Sequence, residues 1–281
     1  MNFNHHDRYR GPVKAVILDW AGTTVDYGSF APTAVFLRLF ESQNVKITVE
    51  DVRAGMGLMK KDHLRTILGR PSVREAWKAT HGIPPSEEDV ETLFKDFVPM
   101  QLSILRDYAQ PIPGLLDVVK ELRAQEIKIG STTGYIRGMM DVLAPEAKKN
   151  GFEPDCIVCP DEVPAGRPYP WMCYQNAMQL GVYPQHAMVK VGDTLPDIEE
   201  GLHAGMWTVG VSLTGNLLGC TEKEVHALAL EEKKDVVQRI EEKLYQAGAH
   251  YVIDGIWDLP DILEEIDLRL ASGKRPWETN H

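Results

Sequence analysis

The sequence predicts an α/β fold: a doubly wound parallel sheet with a helical cap inserted after the first strand. Three observations carry this reading. Short apolar runs recur as "AVILD" (15–19), "IKIGST" (127–132), "CIVCP" (156–160), "MVKVGD" (188–193), "WTVGVSL" (207–213) and "YVIDGI" (251–256). Several are near-continuous and β-branched, as in parallel strands buried on both faces, and helical patterns separate them. The interval from Tyr27 to Tyr108 has no convincing strand and several amphipathic helical runs.

The first run ends on Asp19, followed by Trp20, Ala21, Gly22 and two threonines. A carboxylate at the end of a buried strand suits a nucleophile or a metal ligand, although such an Asp often only forms a turn. The next interval carries "PTAVFLRLFESQ", "DHLRTILG" and "EEDVETLFKDFVPMQLSIL". An insert here sits above the C-terminal edge of the sheet, where ligands of such folds bind. Beyond it, "GLLDVVKELRAQE" precedes the second strand and "GYIRGMMDVLAPEAKKNG" follows it. "PWMCYQNAMQLG" follows the third, and "LPDIEEGLHAG" follows the fourth and stops on Gly205. "TEKEVHALAL" opens with a capping box, Thr221 and Glu224, and starts a helical excursion before the last strand. The expected organisation is a flexible arm over 1–12, an α/β core over 13–26 and 109–270, a helical cap over 27–108 and a tail over 271–281.

The formal net charge is −11, from 30 Lys and Arg against 41 Asp and Glu, which argues against non-specific nucleic-acid binding. An anionic substrate stays compatible with a locally positive site. No apolar run reaches the length of a membrane span, and the first residues lack the apolar core of a secretory signal. His5 and His6 there read as part of a flexible polar tail rather than a metal site. Four cysteines make no disulfide framework in a chain of this size. Cys156 and Cys159 lie three apart in a strand-like run, which points them to opposite faces and against a redox or metal pair. A cytoplasmic protein with no membrane or nucleic-acid partner is expected.

Four strands lead into polar groups. Asp19 ends the first, "STTGY" with Ser131, Thr132 and Thr133 ends the second, "PAGRPYP" with Arg167 follows the third, and "VGDTLPD" with Asp193 and Asp197 ends the fourth. Asp19 and Asp193 can hold Mg²⁺ through hard oxygen ligands. Thr133, the Gly134 amide and Arg167 can hold phosphate oxygens around it. A carboxylate beside such an ion can attack phosphorus and form an aspartyl-phosphate. Asp197 can also serve only as a favourable charge at its helix N-terminus.

The set "DWAGTT", "STTG", "GRPYP" and "GDTLPD" resembles the four motifs of the haloacid dehalogenase superfamily. Within it, "DWAGTTVDYG", "MGLMKKDH", "IGSTTGY", "VPAGRPYPWMCY" and "KVGDT" resemble the phosphonoacetaldehyde hydrolase family. The resemblance implies a Rossmann-like core with a cap, and Mg²⁺ held by Asp19, Asp193 and the Ala21 carbonyl. It also implies a substrate site including Met56 and Tyr135 beside Thr133, Gly134 and Arg167, a small-molecule phosphonate substrate and a homodimer.

Phosphotransferases of this kind usually carry a second Asp two residues after the first, as acid and base for an alkoxide leaving group. Here that place is Ala21. A carbon–phosphorus bond releases a carbanion instead, which has no lone pair to protonate before cleavage. An aldehyde one carbon away lets a lysine condense to an iminium, so that cleavage yields a neutral enamine. "AGMGLMKKDHL" offers two lysines. If the segment is helical, Lys60 and His63 share a face with Leu64 and Ile67, while Lys61 points about 100° away. Lys60 is then the imine candidate and His63 a proton carrier, as the resemblance also assigns. On spacing alone a solvated helix charge is the commoner role for such a lysine; the missing Asp and the resemblance reverse that. The rivals are a phosphatase or mutase of the same fold acting on a phosphate ester, disfavoured by Ala21, and an inactive phosphate sensor, disfavoured by the retention of the other motif residues.

Overall fold

The computed structural model describes residues 9–278. His5 and His6 lie outside the described residues. Among these residues six strands form one parallel sheet: β1 (Ala15–Leu18), β2 (Lys128–Thr132), β3 (Cys156–Val158), β4 (Met188–Gly192), β5 (Trp207–Val211) and β6 (Tyr251–Ile253). Their order is β3-β2-β1-β4-β5-β6, so the first strand lies at the centre and the direction of winding reverses beside it. Every residue of β1, β4 and β5 is buried, which is why these strands read as unbroken apolar runs. Alternation still assigns the faces. Val16 and Leu18 enter one apolar cluster, while Ala15 and Ile17 enter another with Cys173 and Ala177 of the helix after β3.

The helices between Tyr27 and Tyr108 are α1 (Phe30–Ser42), α2 (Val49–Arg53), α3 (Lys60–Gly69), α4 (Pro71–His81) and α5 (Glu87–Ile104). Their starts follow local chemistry. Thr48 and Asp51 cap α2 reciprocally, Ser86 and Asp89 do so for α5, and α4 opens on Pro71. Phe36 of α1 stacks between Phe97 of α5 at 4.5 Å and His63 of α3 at 4.2 Å, giving this bundle its own apolar centre. The two connections to the sheet run side by side, with Ile112 N–H donating to the Thr24 carbonyl at 2.8 Å. Asp26, Gly28 and Ser29 there have φ of 56°, 87° and 55°. The Asp26 carboxylate compensates by accepting the Phe30 and Ala31 N–H groups at 3.0 and 2.9 Å, capping α1.

The remaining helices flank the sheet: α6 (Leu115–Ala124), α7 (Arg137–Lys149), α8 (Trp171–Leu180), α9 (Leu195–His203), α10 (Glu222–Ala227), α11 (Leu230–Gln246) and α12 (Leu259–Ala271). The Thr221 and Glu224 box opens α10, and Gly205, at φ 72°, follows α9. None of the four cysteines is paired, and Cys159 lies beyond the end of β3. Among the described residues no helix is long and apolar enough to cross a membrane.

Candidate active site

β1 and β4 are neighbours in register, Leu18 opposite Val191, so the residues that follow both strands emerge at one edge. Asp19 N–H donates to the Val191 carbonyl at 3.0 Å. Oxygens of Asp19, Asp193 and Asp197 lie within 4.8 Å of one another. Gly22 makes the turn possible twice over. Its φ is +91°, and a Cβ there would sit 2.5 Å from Asp193 Oδ2. Thr23 Oγ1 donates to Asp193 Oδ1 at 3.1 Å and the Asn216 N–H donates to Oδ2 at 2.6 Å, aiming the carboxylate at Asp19.

The electrostatics of this cluster point to a cation. Burial, then the charges of Asp19 and Asp197, push Asp193 well above the usual carboxylate range. Burial also raises Asp19, against the pull of Arg167. Asp197 differs: it is held below the usual range by Arg167 and Lys190, which outweigh its burial. It meets Lys190 Nζ at 2.5 Å, Arg167 Nη2 at 3.0 Å and Thr194 Oγ1 at 2.5 Å. Its charge is already matched by two cations, whereas Asp19 meets only Arg167, at 2.6 Å, and Asp193 has no cationic partner among the described residues. That donor set fits a divalent metal ion.

Arg167 is buried at the centre of the polar edge. Its Nη2 donates to Asp19 Oδ1 at 2.6 Å and Thr132 Oγ1 at 2.8 Å, its Nε to Glu200 Oε2 at 3.0 Å, and its Nη1 to the Gly57 carbonyl at 3.2 Å. These partners come from β1, β2, α9 and the helical insert, and they fix the guanidinium plane. Of the three hydroxyls at the end of β2, only Thr133 faces the cavity. Ser131 accepts from Trp20 Nε1 at 3.0 Å, and Thr132 donates to Glu200 Oε2 at 2.9 Å.

Lys60 reaches the same place from above. It is the first residue of α3, 3% exposed, with Nζ 4.8 Å from the centroid of the Tyr135 ring. Burial lowers its pKa to about 8, with Asp19 pulling the other way. Lys61, one residue on, forms an ion pair with Glu91 at the surface. His63 is fully buried behind Lys60 and does not line the cavity. Its Nε2 lies 2.5 Å from the Val52 carbonyl, so that nitrogen carries the proton, and Nδ1 has no partner among the described residues. Burial, with Lys60 nearby, drives its pKa down to about 3, so the ring is neutral.

The cavity between insert and sheet is small, about 20 Å³. Asp19, Ala21, Met56, Lys60, Thr133, Gly134, Tyr135 and Arg167 all line it. Gly57, whose lack of a side chain allows close backbone approach to a ligand, also lines it, and Ser29, Pro32 and Thr194 complete the wall without having been singled out. Glu200 and Lys190 were also missed. The offset of three between Asp197 and Glu200, which places both carboxylates on one face of α9, was the available signal. Chemically the cavity offers a carboxylate, a buried amine of lowered pKa and anion donors within one enclosure.

A parallel sheet with paired acids at the ends of its central strands and an arginine between them defines a class of phosphoryl-handling hydrolases. The chain belongs to the haloacid dehalogenase-like hydrolases, whose family model matches residues 13–205. Within that family it is 54% identical to the phosphonoacetaldehyde hydrolase of Bacillus cytotoxicus, over 91% of this chain and 97% of that one. It is 50% identical to a phosphonoacetaldehyde hydrolase-like protein of Syntrophobacter fumaroxidans, over 98% and 99% of the two chains. The crystal structure of a phosphonoacetaldehyde hydrolase-like protein from Oleispira antarctica, 43% identical, superposes with a TM-score of 0.94 over 95% of this chain and 97% of that one.

Proposed function

We propose that this hydrolase cleaves the carbon–phosphorus bond of phosphonoacetaldehyde to give acetaldehyde and phosphate. The observation that carries the proposal is one cavity holding Asp19 and Lys60 with Ala21 in place of a second acid. The insert over 27–108 acts as the cap that brings Lys60 down. Arg167, Thr133 and the Gly134 amide receive the phosphonate, while Met56 and Tyr135 enclose the two-carbon end. Asp19, Asp193 and the Ala21 carbonyl would hold Mg²⁺, which would neutralise charge on the phosphonate and on Asp19.

The neutral Lys60 amine adds to the aldehyde carbon, and loss of water leaves an iminium. An Asp19 oxygen then attacks phosphorus. The C–P bond breaks, and its electron pair moves through the new C=C bond to the iminium nitrogen, giving a neutral enamine and an aspartyl-phosphate. The enamine takes a proton at carbon, and water releases acetaldehyde and regenerates the amine. A second water releases phosphate from Asp19. No alkoxide departs, so no acid is needed at position 21. His63 supports Lys60 from behind, because its neutrality keeps a second positive charge away from the amine. The unpaired thiols fit a reducing compartment, and we place the enzyme in the cytoplasm as a homodimer, for which light scattering should return twice the chain mass.

The test compares Mg²⁺-dependent phosphate release from phosphonoacetaldehyde and from glucose phosphate. Release from the phosphonate alone is expected. Faster release from the ester would replace this reading with that of an ordinary phosphatase.

A further inference from the structure

Arg53 is the last residue of α2, directly before the segment 54–59 that carries Met56 and Gly57 to the cavity and leads into Lys60. Its side chain leaves the insert and crosses to the loop after β5. Nη2 donates to the Gly219 carbonyl at 2.8 Å and Nη1 to the Leu218 carbonyl at 3.5 Å. Gly219 has φ +60°, and a Cβ there would fall inside the Arg53 guanidinium. The loop is therefore shaped to the cation that lies on it.

The same loop touches three other places around the site. The Thr214 carbonyl accepts the Gly28 N–H at 2.8 Å, in the connection to the insert. Thr214 Oγ1 donates to the Gly22 carbonyl at 2.6 Å, in the turn after Asp19. Asn216 N–H holds Asp193 at 2.6 Å. A contact from the insert onto this loop thus registers the insert against both acidic strand ends at once.

We infer that Arg53 is a positioning residue, a latch that docks the segment 54–59 on the 214–219 loop and so sets Lys60 opposite Asp19. The inference rests on the cap role proposed for the insert. The chemistry suits a contact that opens and closes. Bonds from a guanidinium to carbonyls are charge-assisted and directional. When they break, the neutral carbonyls leave no buried charge behind, and the half-buried arginine regains water.

The experiment uses the full chain as wild type, Arg53→Met, Arg53→Lys and Gly219→Ala. Amide hydrogen exchange without ligand should show residues 54–59 opening about tenfold more often in Arg53→Met and Gly219→Ala, with β1 and β4 unchanged. With phosphonoacetaldehyde the same two variants should raise KM about tenfold and leave kcat within about threefold, because bound substrate restores closure. Arg53→Lys should recover part of the loss, since an ammonium can reach one of the two carbonyls. Unchanged exchange at 54–59 in both variants would overturn the latch. So would equally accelerated exchange in β1 and β4, which would mark a general loss of stability. A wild type inert toward phosphonoacetaldehyde would remove the proposed function, and the exchange comparison would still decide the latch by itself.

Discussion

Lys60 and Asp19 line the same cavity, and the Asp19 charge pulls the Lys60 pKa upward against the larger effect of burial. With Lys60 lowered to about 8, about a tenth of the amine is neutral at pH 7. Imine formation should therefore rise about tenfold from pH 7 to a plateau above pH 8. The rate of inactivation by borohydride plus acetaldehyde measures this directly, and a flat profile would show that deprotonation of Lys60 does not limit the step. Peptide mapping should place the two-carbon label on Lys60 and leave Lys61, held by Glu91, unmodified. Lys60→Arg keeps the charge but forms no imine, so it should lose nearly all C–P cleavage while Lys61→Arg stays active. Asp19→Ala should separate the two halves of the reaction: phosphate release stops, and borohydride labelling of Lys60 by acetaldehyde continues.

At the level of elements, α3 and the turn after β2 meet across the cavity mouth. A Cβ on Gly134 would lie 2.5 Å from the Leu58 carbonyl, in the segment leading into α3. Gly134→Ala should hold that segment off the sheet and raise KM at least about tenfold, read from initial rates. His63 ties α3 to α2 through the Val52 carbonyl and carries a pH signature. Its pKa is about 3 in the folded chain against 6.5 for an unperturbed ring, so the unfolded state takes up the proton first. The stability that depends on neutral His63 is present above about pH 6.5 and is lost as pH falls toward 3. Between pH 7 and pH 5 the loss should be about 2 kcal/mol. Urea midpoints at the two pH values should show it in wild type, and His63→Gln, which does not titrate there, should lack that slope.

On the scale of the whole molecule, a strongly acidic chain builds one enclosed anion site. Arg167, Lys190 and Lys60 bring three cations to the site against the four buried carboxylates Asp19, Asp193, Asp197 and Glu200, so they offset that charge only in part. The remaining excess of carboxylate, at Asp19 and Asp193, calls for a metal ion. Chelation should abolish phosphate release, and Mg²⁺ should restore it. Labelling of Lys60 by acetaldehyde and borohydride should survive chelation, because the amine and the acids sit on opposite walls of the cavity. Loss of labelling on chelation would mean that the metal organises the insert as well as the phosphonate.

The positions of the strands along the chain, the helical run between the first two and the acids at strand ends were legible in the sequence, because they are written in local periods; the order of the strands in the sheet was not. An unbroken apolar run marks a strand buried on both faces, and the residue that follows it must emerge at the sheet edge. That Lys60 is buried while Lys61 faces the surface was legible for the same reason, since one residue along a helix turns a side chain from one face to the other. Ala21 spoke through the residue it replaces. The tertiary structure alone decided which charges pair. Arg167 finds Asp19 across 148 positions and Gly57 across 110, and Arg53 finds Gly219 across 166. It also decided that Asp197 is neutralised by Lys190 and Arg167 while Asp193 is left for a cation, and that His63 stands behind Lys60 with its Nε2 bound to a carbonyl. Partner choice over such separations depends on how the insert docks on the sheet, and no local period encodes that docking.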